Sequence, residues 1–179
     1  MNAFITTIGE PTTDLCEWSL TRNGFDVTII SGHDTLAKKL ERIYNMATTD
    51  FLRVDADIIV NRFMNPDQLY ELGEEVWWWQ FLTFDWFKQD TTHSMAFIRQ
   101  PAIHALKKNI GRFSKSLRPE TEVSRIDELH NPRRMDTFDK QIMGIHGYAN
   151  DLESARVVKQ SRLQTDLYDF ELAQELNRL

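Results

Sequence analysis

Apolar and polar positions change rhythm repeatedly in the first sixty residues. Ala3 to Ile8 reads as a short buried strand, ended by the loop Gly9-Glu10-Pro11. After Thr12-Thr13-Asp14, the residues Leu15, Trp18 and Leu20 recur at helical spacing, and Asn23-Gly24 stops that helix with a pair tolerant of positive φ. Asp26 to Ile30 is rich in β-branched residues and predicts a second strand. Ser31-Gly32-His33-Asp34 closes it, with Ser31 and Asp34 at capping-box spacing. Leu36, Leu40, Ile43, Tyr44 and Ala47 then form one apolar stripe. Thr48-Thr49-Asp50 breaks the helix, and Phe51 to Val60 is again strand-like. Strands alternating with helices predict βαβ units, hence a parallel sheet with helices on its faces.

Beyond residue 60 the pattern mixes. Asn65-Pro66 opens a helix through Leu69, Leu72 and Val76. Val76 to Phe87, dense in Trp and Phe, predicts a long strand. Met95 to Arg99 predicts another, joined to it as an antiparallel hairpin through Gln89-Asp90-Thr91-Thr92-His93. Pro101 opens a helix with Ile103, Leu106 and Ile110 on its apolar side, and Pro119-Glu120-Thr121-Glu122-Val123 opens the next. Thr137 to Ile142 reads as a short helix stopped by Gly144. Asn150 and Glu153 form a capping box for a helix carrying Arg156, Lys159 and Arg162, and 166–179 is a terminal amphipathic helix. The expectation is a single α/β domain over 1–179. It has a mostly parallel central sheet, helices on both faces and a small antiparallel addition.

Charge and composition narrow the function. A chain of 179 residues is long enough for one full core and short for two. A net charge of −6 gives no basic field to recruit nucleic acid or an anionic membrane. The lone Cys16 cannot form an internal disulfide, which suits a reducing compartment, and reads as a small apolar filler. The amino end lacks the pattern of a secretory signal, and no apolar run is long enough to span a bilayer. A cytoplasmic protein is expected.

The chemistry gathers in two places. Asp55 and Asp57 end an apolar run two residues apart, so they share a face if the strand persists. Hard divalent cations such as Mg²⁺ or Mn²⁺ take one or two protein carboxylates and fill the shell with substrate phosphates. Asp is equally at home in a strand-end turn. The second place is Ile145-His146-Gly147-Tyr148, where an imidazole beside glycine allows close backbone approach and is an acceptable further ligand for Mn²⁺. Lys38, Lys39 and Arg42 lie mostly off their helix's apolar stripe, where a solvated face and a phosphate contact both stay open. Arg156, Lys159 and Arg162 recur every three residues on one face, which would hold a diphosphate or simply meet water. Acidic residues at 120 and 122 suit a helix start through its dipole, or a general base in a cleft.

Taken in order, these stretches resemble the GT-A glycosyltransferases, the family-2-like nucleotide-sugar enzymes. The likeness runs from Phe4-Ile-Thr-Thr-Ile-Gly9-Glu10-Pro11 through Asp55-Ala-Asp57 to Ile145-His146-Gly-Tyr148, and lies in the order of motifs. The resemblance implies a GT-A-like, Rossmann-like domain, with a nucleotide-binding half (1–60) and an acceptor-side half with C-terminal helices (61–179). It implies that Thr6, Thr7, Gly9 and Glu10 surround the nucleoside and that Asp34 or a neighbour such as Lys38 reaches the base or ribose. Asp55 would lie near the ribose or metal. Asp57 would bind Mn²⁺ or Mg²⁺ with His146 as the late ligand, and Arg156, Lys159 and Arg162 would face the diphosphate. Many inverting members carry a Glu-Asp pair at a helix start; here the matching residues are Glu120, the first choice for the base, and Glu122, the second. The implied activity is transfer of a sugar from a nucleotide-diphosphate donor to an acceptor hydroxyl. Sugar-phosphate nucleotidyl transfer is a rival, although Gly9-Glu10-Pro11-Thr12 lacks its Gly-rich basic loop. A non-catalytic nucleotide-sugar or carbohydrate-binding module is the third reading.

Overall fold

The structure is a computed structural model and describes residues 1–86, 89–113, 119–130 and 134–147. Eight strands form one sheet: β1 (Asn2–Thr6), β2 (Asp26–Ile30), β3 (Phe51–Asp55), β4 (Ile58–Val60), β5 (Trp78–Asp85), β6 (Asp90–Ile98), β7 (Met135–Phe138) and β8 (Gly144–His146). Their order is β2-β1-β3-β6-β5-β8-β4, with β7 also paired to β5. The helices are α1 (Thr13–Arg22), α2 (Leu36–Met46), α3 (Pro66–Tyr70), α4 (Gln100–Lys108), α5 (Ile110–Phe113), α6 (Pro119–Glu122) and α7 (Asp127–His130), with a 3₁₀ turn at Val123–Arg125.

The βαβ expectation holds: β1 pairs in parallel with both β2 and β3. The antiparallel hairpin lies inside the sheet, since β6 runs between β3 and β5 and opposes both. Two antiparallel steps restore direction, so β5 points the same way as β1 and β3. β8 is parallel to β5. Hence β1, β3, β5 and β8 all present their carboxyl ends at one edge.

Alternation along the strands splits the core in two. Phe4 and Phe51 pack with Leu40, Ile43 and Tyr44 of α2 and with Ala102 and Leu106 of α4. Ala3, Ile5, Leu52 and Val54 pack on the other face with Cys16 and Leu20 of α1. Phe4 and Phe51 meet edge-on at 5.2 Å between ring centroids, a contact adding about 1 kcal/mol to their burial. Among the described residues no helix is long and apolar enough to cross a membrane.

Several local expectations are corrected. The run Phe51–Val60 is two strands, broken at Ala56–Asp57, where the chain turns to join β4 to β8. The stretch read as a helix at 137–142 begins instead as β7, because Met135 to Phe138 finds ladder partners at Trp78 to Phe81. Trp18 faces outward, stacked under Arg22 at 4.5 Å, while Cys16 and Ser19 take the buried side of α1. The cap of α2 is Thr35, whose hydroxyl accepts from the Lys38 amide, and not Ser31 with Asp34.

Candidate active site at the carboxyl ends of four strands

Thr6 ends β1, Asp55 ends β3, Asp85 ends β5 and His146 ends β8. Co-directional strands therefore deliver all four to one edge, the position where open α/β sheets bind their ligands.

Asp55 lies in the alternation on the Phe51 face. Its Oδ1 accepts from the Thr6 hydroxyl at 2.8 Å and faces Arg53 Nη1 at 3.4 Å. Asp57 lies past the end of β3 in the turn, so the i, i+2 geometry of a strand does not govern the pair. Its main-chain oxygen accepts from Gly147 N at 2.8 Å, and its Oδ2 stands 3.3 Å from His146 Nε2. The other ring nitrogen, Nδ1, is 3.1 Å from Oδ2 of Asp85, whose side chain is 0% exposed. The imidazole thus stands between two carboxylates. Burial by itself lowers the pKa of His146, but the charges of Asp57, Asp85 and Asp55 and the Asp85 hydrogen bond outweigh it and raise it above the ordinary value. Gly147 follows at φ +75, a backbone that L side chains rarely adopt, which is why the residue after the histidine is glycine.

The loop after β1 is ordered by its own side chains. Glu10 Oε2 accepts from the Thr7 hydroxyl at 2.6 Å and from the Ile8 amide at 2.7 Å, and the Gly9 amide donates to Thr7 Oγ1 at 2.9 Å. Lys39 reaches this loop from α2, donating from Nζ to the Thr7 carbonyl at 2.6 Å. It is buried; desolvation lowers its pKa, against the raising influence of Glu10, Asp34 and Asp55. Lys38 instead lies exposed and pairs with Asp34 at 4.0 Å, and Arg42 also faces Asp34, at 3.8 Å. Cys16 packs beneath, its thiol directed at the Asp55 carbonyl at 3.6 Å. Burial, then the charges of Asp57 and Asp55, push its pKa up, so it stays a neutral filler.

The structure therefore brings Thr6, Thr7, Gly9 and Glu10 together with Asp55, and Asp57 together with His146. Glu122 accepts from Arg125 Nη1 at 2.9 Å, and the adjoining Val123 enters the core that also holds α2 and α4. Glu120 is on the same short helix. Arg156, Lys159 and Arg162 lie outside the described residues. Sequence alone does not anticipate Asp85, and it leaves Lys39 open between a solvated face and a phosphate contact. Asp85 looked only like an interruption of an aromatic strand. Lys39 had a signal: it is three residues after Leu36 and four before Ile43, on the flank of the apolar stripe. No group of three or more His, Cys, Asp or Glu arranged to hold a metal occurs among the described residues. A separate cleft lined by Trp77, Pro101, His104, Lys108, Glu128 and Arg134 opens at the amino end of β5, the far end from Asp85.

No protein-family model matches the chain, and no curated protein matches it. Among solved structures it is similar to a glycosyltransferase involved in the glycosylation of the major capsid of PBCV-1. That match has 13% identity and a TM-score of 0.59, covering 91% of this chain and 100% of the other. It is also similar to the 4-diphosphocytidyl-2C-methyl-D-erythritol synthase of Anaerococcus prevotii, at 10% identity and a TM-score of 0.53, covering 92% of this chain and 96% of the other. At such identities the likeness speaks to the fold, which is a GT-A-like α/β domain of Rossmann type.

Proposed function

We propose that this chain is a divalent-cation-dependent glycosyltransferase that moves a sugar from a nucleotide-diphosphate donor to an acceptor hydroxyl. One observation carries the reading. The Asp57–His146–Asp85 group and the Thr6–Asp55 pair converge at the carboxyl ends of co-directional strands, beside the ordered loop that follows β1. The GT-A-like fold supports it by analogy alone.

Asp57 Oδ2 and His146 Nε2 are donors that suit Mg²⁺ or Mn²⁺. Neighbouring donors in an octahedral shell with bonds of about 2.1 Å stand about 3 Å apart, and these two stand 3.3 Å apart. Two protein donors are enough for a cation that completes its shell with water and substrate phosphate. When bound, the cation would offset charge on the departing diphosphate. Asp55, fixed by Thr6 and Arg53, is proposed to accept from a ribose hydroxyl, with Thr7, Gly9 and Glu10 shaping the nucleoside side. Asp34 and Lys38 are proposed at the rim near the base, and Arg156, Lys159 and Arg162 at the diphosphate. A carboxylate must take the acceptor proton as the hydroxyl attacks the anomeric carbon; Glu120 is proposed, with Glu122 second, on the strength of the sequence order.

The test is release of nucleoside diphosphate from a panel of nucleotide sugars, with and without Mn²⁺. Release from one donor class that requires the cation is expected. Asp57→Ala should lower it by more than about a hundred-fold, since residues merely orienting metal ligands already cost ten- to a hundred-fold. A folded Asp57→Ala protein with full activity would refute the cation assignment. Pyrophosphate release from a nucleoside triphosphate and a sugar phosphate would mean nucleotidyl transfer. Donor binding that never leads to turnover would mean a binding module.

A further inference from the structure

Asp85 is fully buried at the end of β5, in a strand whose other inward side chains on that face are Trp79, Phe81 and Thr83. A carboxylate in such a place is costly unless a cation or strong donors meet it. It is removed from solvent, so it cannot itself touch a diphosphate donor. What it does meet is His146, its partner in the β5–β8 register, at 3.1 Å from Nδ1. The main chain at the imidazole is already pinned: β8 is laddered to β4, and the peptide after His146 is held at both ends, Trp86 N donating to the His146 carbonyl at 2.9 Å and Gly147 N to the Asp57 carbonyl at 2.8 Å. With the backbone fixed, the remaining freedom is rotation of the ring, which would exchange or withdraw the nitrogen facing Asp57.

We propose that Asp85 is the positioning residue of this site, holding the His146 ring with Nδ1–H directed to its own carboxylate so that Nε2 faces Asp57. A carboxylate behind a ligating imidazole fixes both its tautomer and its orientation, and raises its strength as a donor. The affinity of the Asp57–His146 pair for a divalent cation is then set in part by a side chain that never touches the cation. That consequence rests on the cation-dependent reading above; the orientation of the ring does not.

The test uses the full chain. The imidazole ¹⁵N spectrum of the cation-free wild type is recorded on the alkaline side, with the His146 signals identified by their loss in His146→Ala. A proton on Nδ1 is expected, and a wild-type ring bare at Nδ1 would overturn the proposal without any Asp85 variant. Binding of Mn²⁺ alone is then measured by the electron paramagnetic resonance of the free ion. Asp85→Asn should bind Mn²⁺ ten- to a hundred-fold more weakly and shift the His146 resonances, with Asp85→Glu recovering part of both. A cooperatively melting Asp85→Asn protein with wild-type Mn²⁺ affinity and unchanged His146 signals would also overturn it. If the wild type binds no Mn²⁺ yet its Nδ1 proton depends on Asp85, the cation reading falls and the positioning role stands.

Discussion

Gly144 opens β8 opposite Val60, and the space for a side chain there is already taken. A Cβ built on it would meet the Ile59 main-chain oxygen at 2.9 Å, Ile58 Cγ2 at 3.2 Å and Met95 Cε at 3.4 Å. The nearest atom belongs to a backbone, so no rotamer change relieves it and β4 must move away from β8. Overpacking of this kind costs about 1–3 kcal/mol. The smaller entropy of an alanine in the unfolded chain returns about 0.4–1 kcal/mol. Gly144→Ala should therefore lose about 1–2 kcal/mol. Gly111→Ala supplies the opposite control: it lies in α5 with nothing within 4 Å of the added methyl, and should gain about 0.5–1 kcal/mol. Urea unfolding with linear extrapolation reads both as shifts in midpoint at constant slope. Because Ile58, two residues from Val60 in the same ladder, is the register partner of His146, Gly144→Ala should also weaken Mn²⁺ binding. A Gly144→Ala midpoint at or above wild type, with Gly111→Ala behaving as expected, would refute the close packing of β4 on β8.

Lys39→Met keeps the side chain's length but orphans the Thr7 carbonyl; a cost of about 1–3 kcal/mol in unfolding free energy is expected, with weaker binding of a nucleoside diphosphate by calorimetry. The same variant with unchanged donor affinity would separate Lys39 from the nucleotide loop. The raised pKa of His146 predicts a pH effect in chelator-treated protein: the folded state holds the proton more tightly, so this contribution to stability is fully present below the ordinary histidine value of 6.5 and is lost as pH rises through the folded-state value. Urea midpoints measured across that range should fall with rising pH in wild type and fall less in His146→Ala; parallel curves would argue against it.

The first three strands and two helices were legible because each is specified locally, by β-branched runs, helical stripes and Asn-Gly or Pro punctuation. What escaped is set by distant partners. The turn at Ala56-Asp57 is one of two open readings in the sequence, because Asp favours turns but no Gly or Pro forces one; it is closed by Thr6 and Gly147 through backbone hydrogen bonds. The stretch from Thr137 reads as a helix, but Met135 to Phe138 finds a ladder on β5. Asp85 gave only a polar break in an aromatic strand, because its meaning lies in a histidine sixty-one positions later. That Asp57 and His146 meet is implied only by the family resemblance; locally it depends on β4 and β8 pairing, which neither stretch announces. Lys39 reads as lying mostly off the apolar stripe of α2, and only the Thr7 carbonyl it meets draws it inward.

The return strand β6 has a consequence for how the molecule reaches its native state. By lying between β3 and β5 and opposing both, it leaves β5 co-directional with β1 and β3, so the edge is composed from segments scattered between Thr6 and His146. Contacts of such wide sequence separation form late, since the loops they close must first be ordered. A nascent chain that has completed its first βαβ units holds Asp55 but neither Asp85 nor His146. If the proposed Asp57–His146 site takes a cation, Mn²⁺ binding should therefore report finished folding, and is expected to follow the formation of the first βαβ units.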